Sequence, residues 1–190
     1  MLALAAAAAI VSPGLYTNEE QVEFARDAGQ IPPPWIGILA GDDSLTRVDA
    51  YGKKLDAPLP DIAQAGPDAL EARTAEGQLL TFLRARSWRC WAAIPKAGGG
   101  WWGQQDIRLH DRGGRALLET DEPTPSRFIL RMRNVVFPAP PNQPSLVLYV
   151  HGEDPVRAIS YAWAEPGAKR LGINLRTMQA SCTLAGQEPG

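Results

Sequence analysis

Short apolar runs, broken by glycine or proline at roughly ten-residue intervals, are the feature that most restricts this chain. "WIGILAG", "LTRVDAYG", "SWRCWAAI", "RFILRMRNVVF", "SLVLYVHG" and "VRAISYAWAE" each suit one strand, and no long helical period runs through them. The 18 glycines and 17 prolines fall between such runs, so they read as turns and not as disorder. About nine or ten strands are expected, with hairpins turning at "AEG" and "RGG" and a loop at "LDAPLPDIAQAGPDA". Strands do not alternate with helices, which argues against a parallel nucleotide-binding sheet. An antiparallel sandwich or a closed barrel fits the spacing. The barrel is favoured because the wholly apolar "SLVLYVHG" would be hazardous at an open sheet edge.

One stretch departs from this pattern. Thr17 and Glu20 form a T-x-x-E capping box, and Glu19 and Glu20 suit the positive end of a helix dipole. Val22, Ala25 and Ala28 share a face with Phe24 at its flank, and Gly29 and Pro32–Pro34 end the pattern. The spacing predicts a helix over 18–28. So short a helix is stable only when packed. It is expected across one mouth of the barrel, covering apolar residues with Val22, Phe24 and Ala25.

Leu2 to Val11 is an uncharged apolar run, about half the length of a membrane span. With the small residues inside it, residues 1–13 read as a signal-peptide-like leader, leaving residues 14–190 as a single β-barrel domain. The alternative is a buried N-terminal helix. Export, to the periplasm, would permit a Cys90–Cys182 disulfide worth roughly 4 kcal/mol in the chain-entropy model; two buried free thiols are the other reading. The 19 basic and 21 acidic residues leave a net charge of -2, which gives no reason to expect nucleic acid or an anionic membrane as partner.

Arginines recur two apart, Arg84 with Arg86 and Arg131 with Arg133. In a strand each pair shares a face. On the walls of a cavity they would bind carboxylates; on an outer face they would be solvated. Trp88, Trp91, Trp101 and Trp102 bracket "KAGGG", and Tyr161 and Trp163 share a strand face. They line either a core or a ligand cavity. His110–Asp111 and His151 with Asp154 are the only histidine neighbourhoods, and ordinary surface roles are expected for the latter. No HExxH, GxSxG, phosphate loop or dinucleotide fingerprint occurs, so no catalytic residue, metal or cofactor is assigned.

Gly14, Tyr16, Asn18 and Gln21 match a Gly-x-aromatic-x-Asn-x-x-Gln opening, and Arg84, Arg86 and Trp88 match a later Arg-x-Arg-x-aromatic strand. In these two motifs the first half of the chain resembles the CpcT/CpeT-like chromophore lyases. That resemblance implies a lipocalin-like or calycin-like barrel, a linear tetrapyrrole as ligand, and arginines facing its propionates. Leu83 stands where the family has a tyrosine.

The resulting expectation is an all-β, antiparallel lipocalin-like barrel with one short N-terminal helix. It binds a small, partly apolar, anionic ligand through Arg84, Arg86, Trp88, Arg131, Arg133, Tyr161 and Trp163. A chromophore-lyase-like enzyme and an envelope structural domain with a filled core are the alternatives. The oligomeric state is open. If residues 1–13 are a leader, the intact mass of protein from its native host will lack them; a mass that retains them in soluble cytoplasm overturns the assignment.

Overall fold

The computed structural model describes residues 11–120, 126–136 and 144–186. Most of the expected leader, residues 1–10, lies outside them. The chain is all-β with one helix, 57% strand and 6% helix, and includes a curled half-barrel sheet. Among the described residues no helix is long and apolar enough to cross a membrane. The strands form three separate sheets, not the single closed ladder expected, and the chain divides into two compact units, Met1–Ala85 and Arg86–Gly190.

The first unit contains β1 (Gly14–Thr17), α1 (Glu19–Asp27), β2 (Gly37–Ala40), β3 (Leu45–Val48), β4 (Asp61–Gly66), β5 (Ala69–Arg73) and β6 (Leu79–Arg84). Its strands form one antiparallel sheet in the order β3-β2-β1-β6-β5-β4. Tyr16, Ile38, Leu70, Leu80 and Phe82 form its core. β4 lies within the segment expected to be a loop. It is an edge strand, tied by its ladder to β5, with Ile62 packed on the core.

Strand β1 is only four residues long and meets β6 at Tyr16 and Thr17 alone. The backbone it leaves open is served by side-chain amides. The Gln21 amide donates to the Leu79 carbonyl at 2.7 Å and accepts from the Thr81 N–H at 3.2 Å, as a neighbouring strand would. Asn18 does the same for the incoming chain. It donates to the Pro34 carbonyl at 2.9 Å and accepts from the Ile36 N–H at 2.8 Å. This use explains why the helix start differs from the capping-box expectation. Asn18, not Thr17, is the N-cap, and it makes no side-chain capping bond because its amide is engaged elsewhere. Arg84 grips the start of β1, donating to the Pro13 carbonyl at 2.8 Å and pairing with Asp68 at 3.2 Å. A Cβ at Gly14 would sit 2.9 Å from the Arg84 Nε, so glycine permits this close approach.

The second unit contains β7 (Ser87–Pro95), β8 (Trp101–His110), β9 (Arg112–Thr120), β10 (Ser126–Val136), β11 (Pro144–His151), β12 (Ala158–Ala164), β13 (Arg170–Asn174) and β14 (Gln179–Leu184). One sheet has the order β12-β11-β10-β9 and the other β13-β14-β7-β8. Their inner faces share one core: Trp88, Ile107 and Leu109 from one sheet, Leu118, Leu130, Met132, Leu146 and Leu148 from the other. Cys90 and Cys182 are direct cross-strand partners on β7 and β14, Cα atoms 3.9 Å apart, and form a disulfide inside this core.

The β8–β9 corner is tighter than the sequence suggested. The chain turns at Asp111, and "RGG" already belongs to β9. A Cβ at Gly114 would lie 2.6 Å from the His110 nitrogen, so only glycine passes the corner at this distance. The buried Asp111 carboxylate accepts from the Arg86 backbone N–H at 2.8 Å and from the Arg86 guanidinium, while its carbonyl accepts from Asn134 at 3.0 and 3.1 Å.

Helix α1 packs on β6, burying Val22, but Phe24 is 55% exposed. Phe24 therefore does not cover an apolar opening as expected. Replacing Gln21 with alanine leaves two backbone groups of β6 without partners, and should lower the unfolding free energy by about 1–2 kcal/mol. Phe24→Ala should cost less than about 1 kcal/mol, as a surface substitution. Urea denaturation of the two variants checks this; a larger loss for Phe24→Ala overturns it.

Candidate functional site

The outer face of the β12-β11-β10-β9 sheet gathers four of the seven predicted ligand residues. Along β10, Leu130 and Met132 enter the core, so Arg131 and Arg133 point to the other side. The register then fixes their neighbours. Arg115, Arg131, Tyr149 and Tyr161 form one row across the four strands, and Arg133, Val147 and Trp163 lie in the next row. Adjacent positions in a row are about 4.8 Å apart.

The face has a graded surface. Val147, Ile129 and His151 are buried and make its floor, Arg115, Arg131, Arg133 and Tyr149 are half-buried, and Tyr161 and Trp163 stand 58% and 62% exposed on edge strand β12. The aromatic rings are in sequence: Tyr149 lies 6.1 Å from Tyr161 and 6.2 Å from His151, and the Arg133 guanidinium sits 5.8 Å from the Tyr149 ring centre. The latter is a cation–π contact. The β11–β12 hairpin folds over one end, where the Pro155 carbonyl accepts from Arg115 at 3.1 Å. Asp154 shapes that turn by accepting from the Val156 and Arg157 backbone at 2.7 and 3.2 Å, which holds its carboxyl below the usual range.

His151 is 2% exposed, and its ring makes no hydrogen bond of ordinary geometry, only a weak approach to the Arg157 backbone. This is not the surface role expected of it. Burial is the main influence lowering its pKa, joined by the positive charges of Arg115 and Arg131; the Arg157 backbone and Asp154 act the other way. His110, 7% exposed at the corner, is pushed down to about 4 by burial, against the pull of Asp111.

The remaining predicted residues serve the fold. Arg84 belongs to the first unit and binds Pro13 and Asp68; Arg86 is held by Asp111; Trp88 is a core side chain, 1% exposed, with its indole N–H lacking an acceptor. None of the three joins the face. The sequence reading missed Arg115, Tyr149 and His151, which only the strand register brings beside Arg131. Among the described residues no group of His, Cys, Asp or Glu could hold a metal ion. The arrangement can bind: it offers cations for an anion, aromatic rings for a flat apolar surface, and a buried imidazole with open hydrogen-bonding capacity. No family model, curated protein or solved structure matches the chain.

Both imidazoles should be neutral at pH 7. The folded pKa of His110 lies below its unfolded value of about 6.5, so the unfolded chain takes up the proton first. Stability from this residue is present above pH 6.5 and is lost as pH falls toward about 4, by roughly 3 kcal/mol in total. NMR titration should place the His110 midpoint near 4 and the His151 midpoint below the ordinary value. Two midpoints at the ordinary histidine value would overturn the burial argument.

Proposed function

We propose that this chain is an exported, periplasmic binding protein for a small, partly apolar anion, taken up on the outer face of the β12-β11-β10-β9 sheet. The carrying observation is the row Arg115–Arg131–Tyr149–Tyr161 beside Trp163. Cations at one end and exposed aromatic rings at the other match a molecule with a carboxylate and a flat apolar body. Export is supported by the Cys90–Cys182 disulfide, since such bonds persist in oxidising compartments, and by the leader-like start. The two sheets of the second unit share one filled core, so this reading puts the ligand on an outer face and not inside a closed barrel.

A linear tetrapyrrole, the ligand of the family that the opening motif resembles, has this chemistry, with a conjugated surface and two propionates. The lyase reaction is not part of the proposal: Gly14, Asn18, Gln21, Arg84 and Arg86 each serve a backbone or corner contact.

The test is a titration of the full chain with biliverdin and with 1-anilinonaphthalene-8-sulfonate, two aromatic anions. Binding should quench tryptophan emission, and Trp163→Ala and Arg131→Gln should each weaken it by about tenfold, near 1.4 kcal/mol. A bound anion offsets the charges of Arg115 and Arg131, so it should raise the His151 midpoint, and affinity should increase as pH falls through that midpoint. Binding that neither variant weakens, or a His151 midpoint that the ligand leaves unmoved, overturns the assignment.

A further inference from the structure

The opposite sheet of the second unit, β13-β14-β7-β8, has an outer face with a different pattern. Its register sets Arg108, Arg89, Thr183 and Arg170 in one row across four strands. All three arginines are exposed, and Arg89 faces Arg108 directly across the ladder. Like charges placed opposite each other destabilise a sheet. Asp106 is the one carboxylate that the described strands bring to this face. It sits at a β-bulge in β8 with a φ of 55, a conformation that aspartate tolerates better than most residues. Arg89, Arg170, Asp106, Thr183 and Trp91 line a groove of about 820 Å³.

The remaining strand positions on this face carry no charge; Lys96 and Arg176 lie in the turns at its far end. Beyond the arginine row the register places Trp91 beside Ser181 and Gly172, then Gly103, Ala93, Gln179 and Asn174, then Trp101 opposite Pro95. Trp91 and Trp101 are 41% and 53% exposed. At about 3.4 Å per residue, the row of Trp101 lies roughly 14 Å along β7 from Trp91, and the arginine row roughly 7 Å the other way. Between the indoles the floor is low, because glycine, alanine and serine stand there, and its rim is made of amides.

We propose that this face binds an oligosaccharide of uncharged sugars that carries a carboxylate sugar at one end. The acid lies at Arg89, Arg108 and Arg170, with Asp106 accepting from a sugar hydroxyl, and the neutral rings stack on Trp91 and Trp101 over the low floor. The placement of charge distinguishes this ligand from single-stranded nucleic acid. A polyphosphate backbone needs cations along its whole track. Here the strands carry their cations in a single row, and the stretch of about 14 Å between the tryptophans offers only amides and hydroxyls, so the track of charge is interrupted. The disulfide lies directly beneath the site. Cys90 separates Arg89 from Trp91, and Cys182 separates Ser181 from Thr183, so the bond fixes the spacing of the groups above it. This site is independent of the one proposed on the other sheet, and shares no residue with it.

The test is NMR titration of the full chain with 3′-sialyllactose and with an aldotetraouronic acid, each beside its neutral parent, lactose and xylotriose, and with the oligonucleotide dT4. At least one acidic sugar should bind about tenfold more tightly than its parent. Trp91→Ala and Trp101→Ala should each weaken it by about tenfold, and Arg89→Gln should remove the preference for the acid while leaving the neutral parent unaffected. All three positions are exposed, and thermal melts of the variants establish that they fold. The inference is overturned if no sugar binds at about 10 mM, if the neutral parents bind as tightly as the acids, or if dT4 binds more tightly than every sugar.

Discussion

The Cys90–Cys182 bond is the constraint on which the second unit depends. It joins the unit's first strand to its last, residues separated by 92 positions, in direct register across β7 and β14. Without it, the β7–β14 ladder would have to be closed by backbone hydrogen bonds and apolar contact alone, against the entropy of a long loop. Both cysteines belong to the core that includes Trp88, Met132, Leu148 and Met178, so their neighbours in sequence on β7 and β14 point outward. One covalent contact thus anchors the core and sets the positions of Arg89, Trp91, Ser181 and Thr183 on the surface above it. The same core holds the other sheet. Leu130 and Met132 enter it, which leaves Arg131 and Arg133 no choice but the far side.

The first unit solves a different problem. A four-residue β1 cannot satisfy the whole length of β6, and the chain entering β2 runs through three prolines that cannot donate. Gln21 and Asn18 each place one carboxamide against a carbonyl and an N–H two residues apart, and so stand in for the missing peptide groups. The residues that give the opening its likeness to a lyase motif are therefore those that this sheet needs to close its hydrogen bonds. Arg84, from the second motif, completes the set by holding Pro13. In this chain these residues are accounted for by the backbone they complete, with no ligand needed to explain them.

The helix and the strand-rich pattern were legible because each leaves a local trace, a 3.6-residue period and short apolar runs; the cysteine pairing was legible because the chain has two cysteines and so one possible bridge. β4 was not, since "DIAQAG" sits between prolines and only Ile62 reaches the core. The division after Ala85 has no linker composition; "LRARSW" passes straight through it. The glycines after Asp111 read as a turn because close approach and turning demand the same residue. At the candidate site, Arg131, Arg133, Tyr161 and Trp163 were legible as same-face pairs, yet which face they shared depended on cross-strand register. Arg115, Tyr149 and His151 became their neighbours only through that register, which no single strand encodes.

Arginine illustrates the limit of reading such a chain by residue type. Arg86 is neutralised by a buried carboxylate and serves the corner; Arg84 spends its donors on Pro13 and Asp68; Arg133 lies over Tyr149 on a half-buried face; Arg89 and Arg108 oppose each other in solvent. Their sequence surroundings are much alike, a basic residue alternating with apolar ones in a strand. What separates them is the partner that the fold supplies, an acid in two cases, an aromatic ring in the third and a second cation, directly across the ladder, in the last. The first two gain stability from their partners. An arginine opposed to another arginine lowers stability in the free protein. An anion that binds between the two relieves that repulsion, so its binding free energy includes energy already stored in the fold. A near-neutral chain can in this way hold rows of arginines on its faces, because local charge depends on strand register and not on net charge.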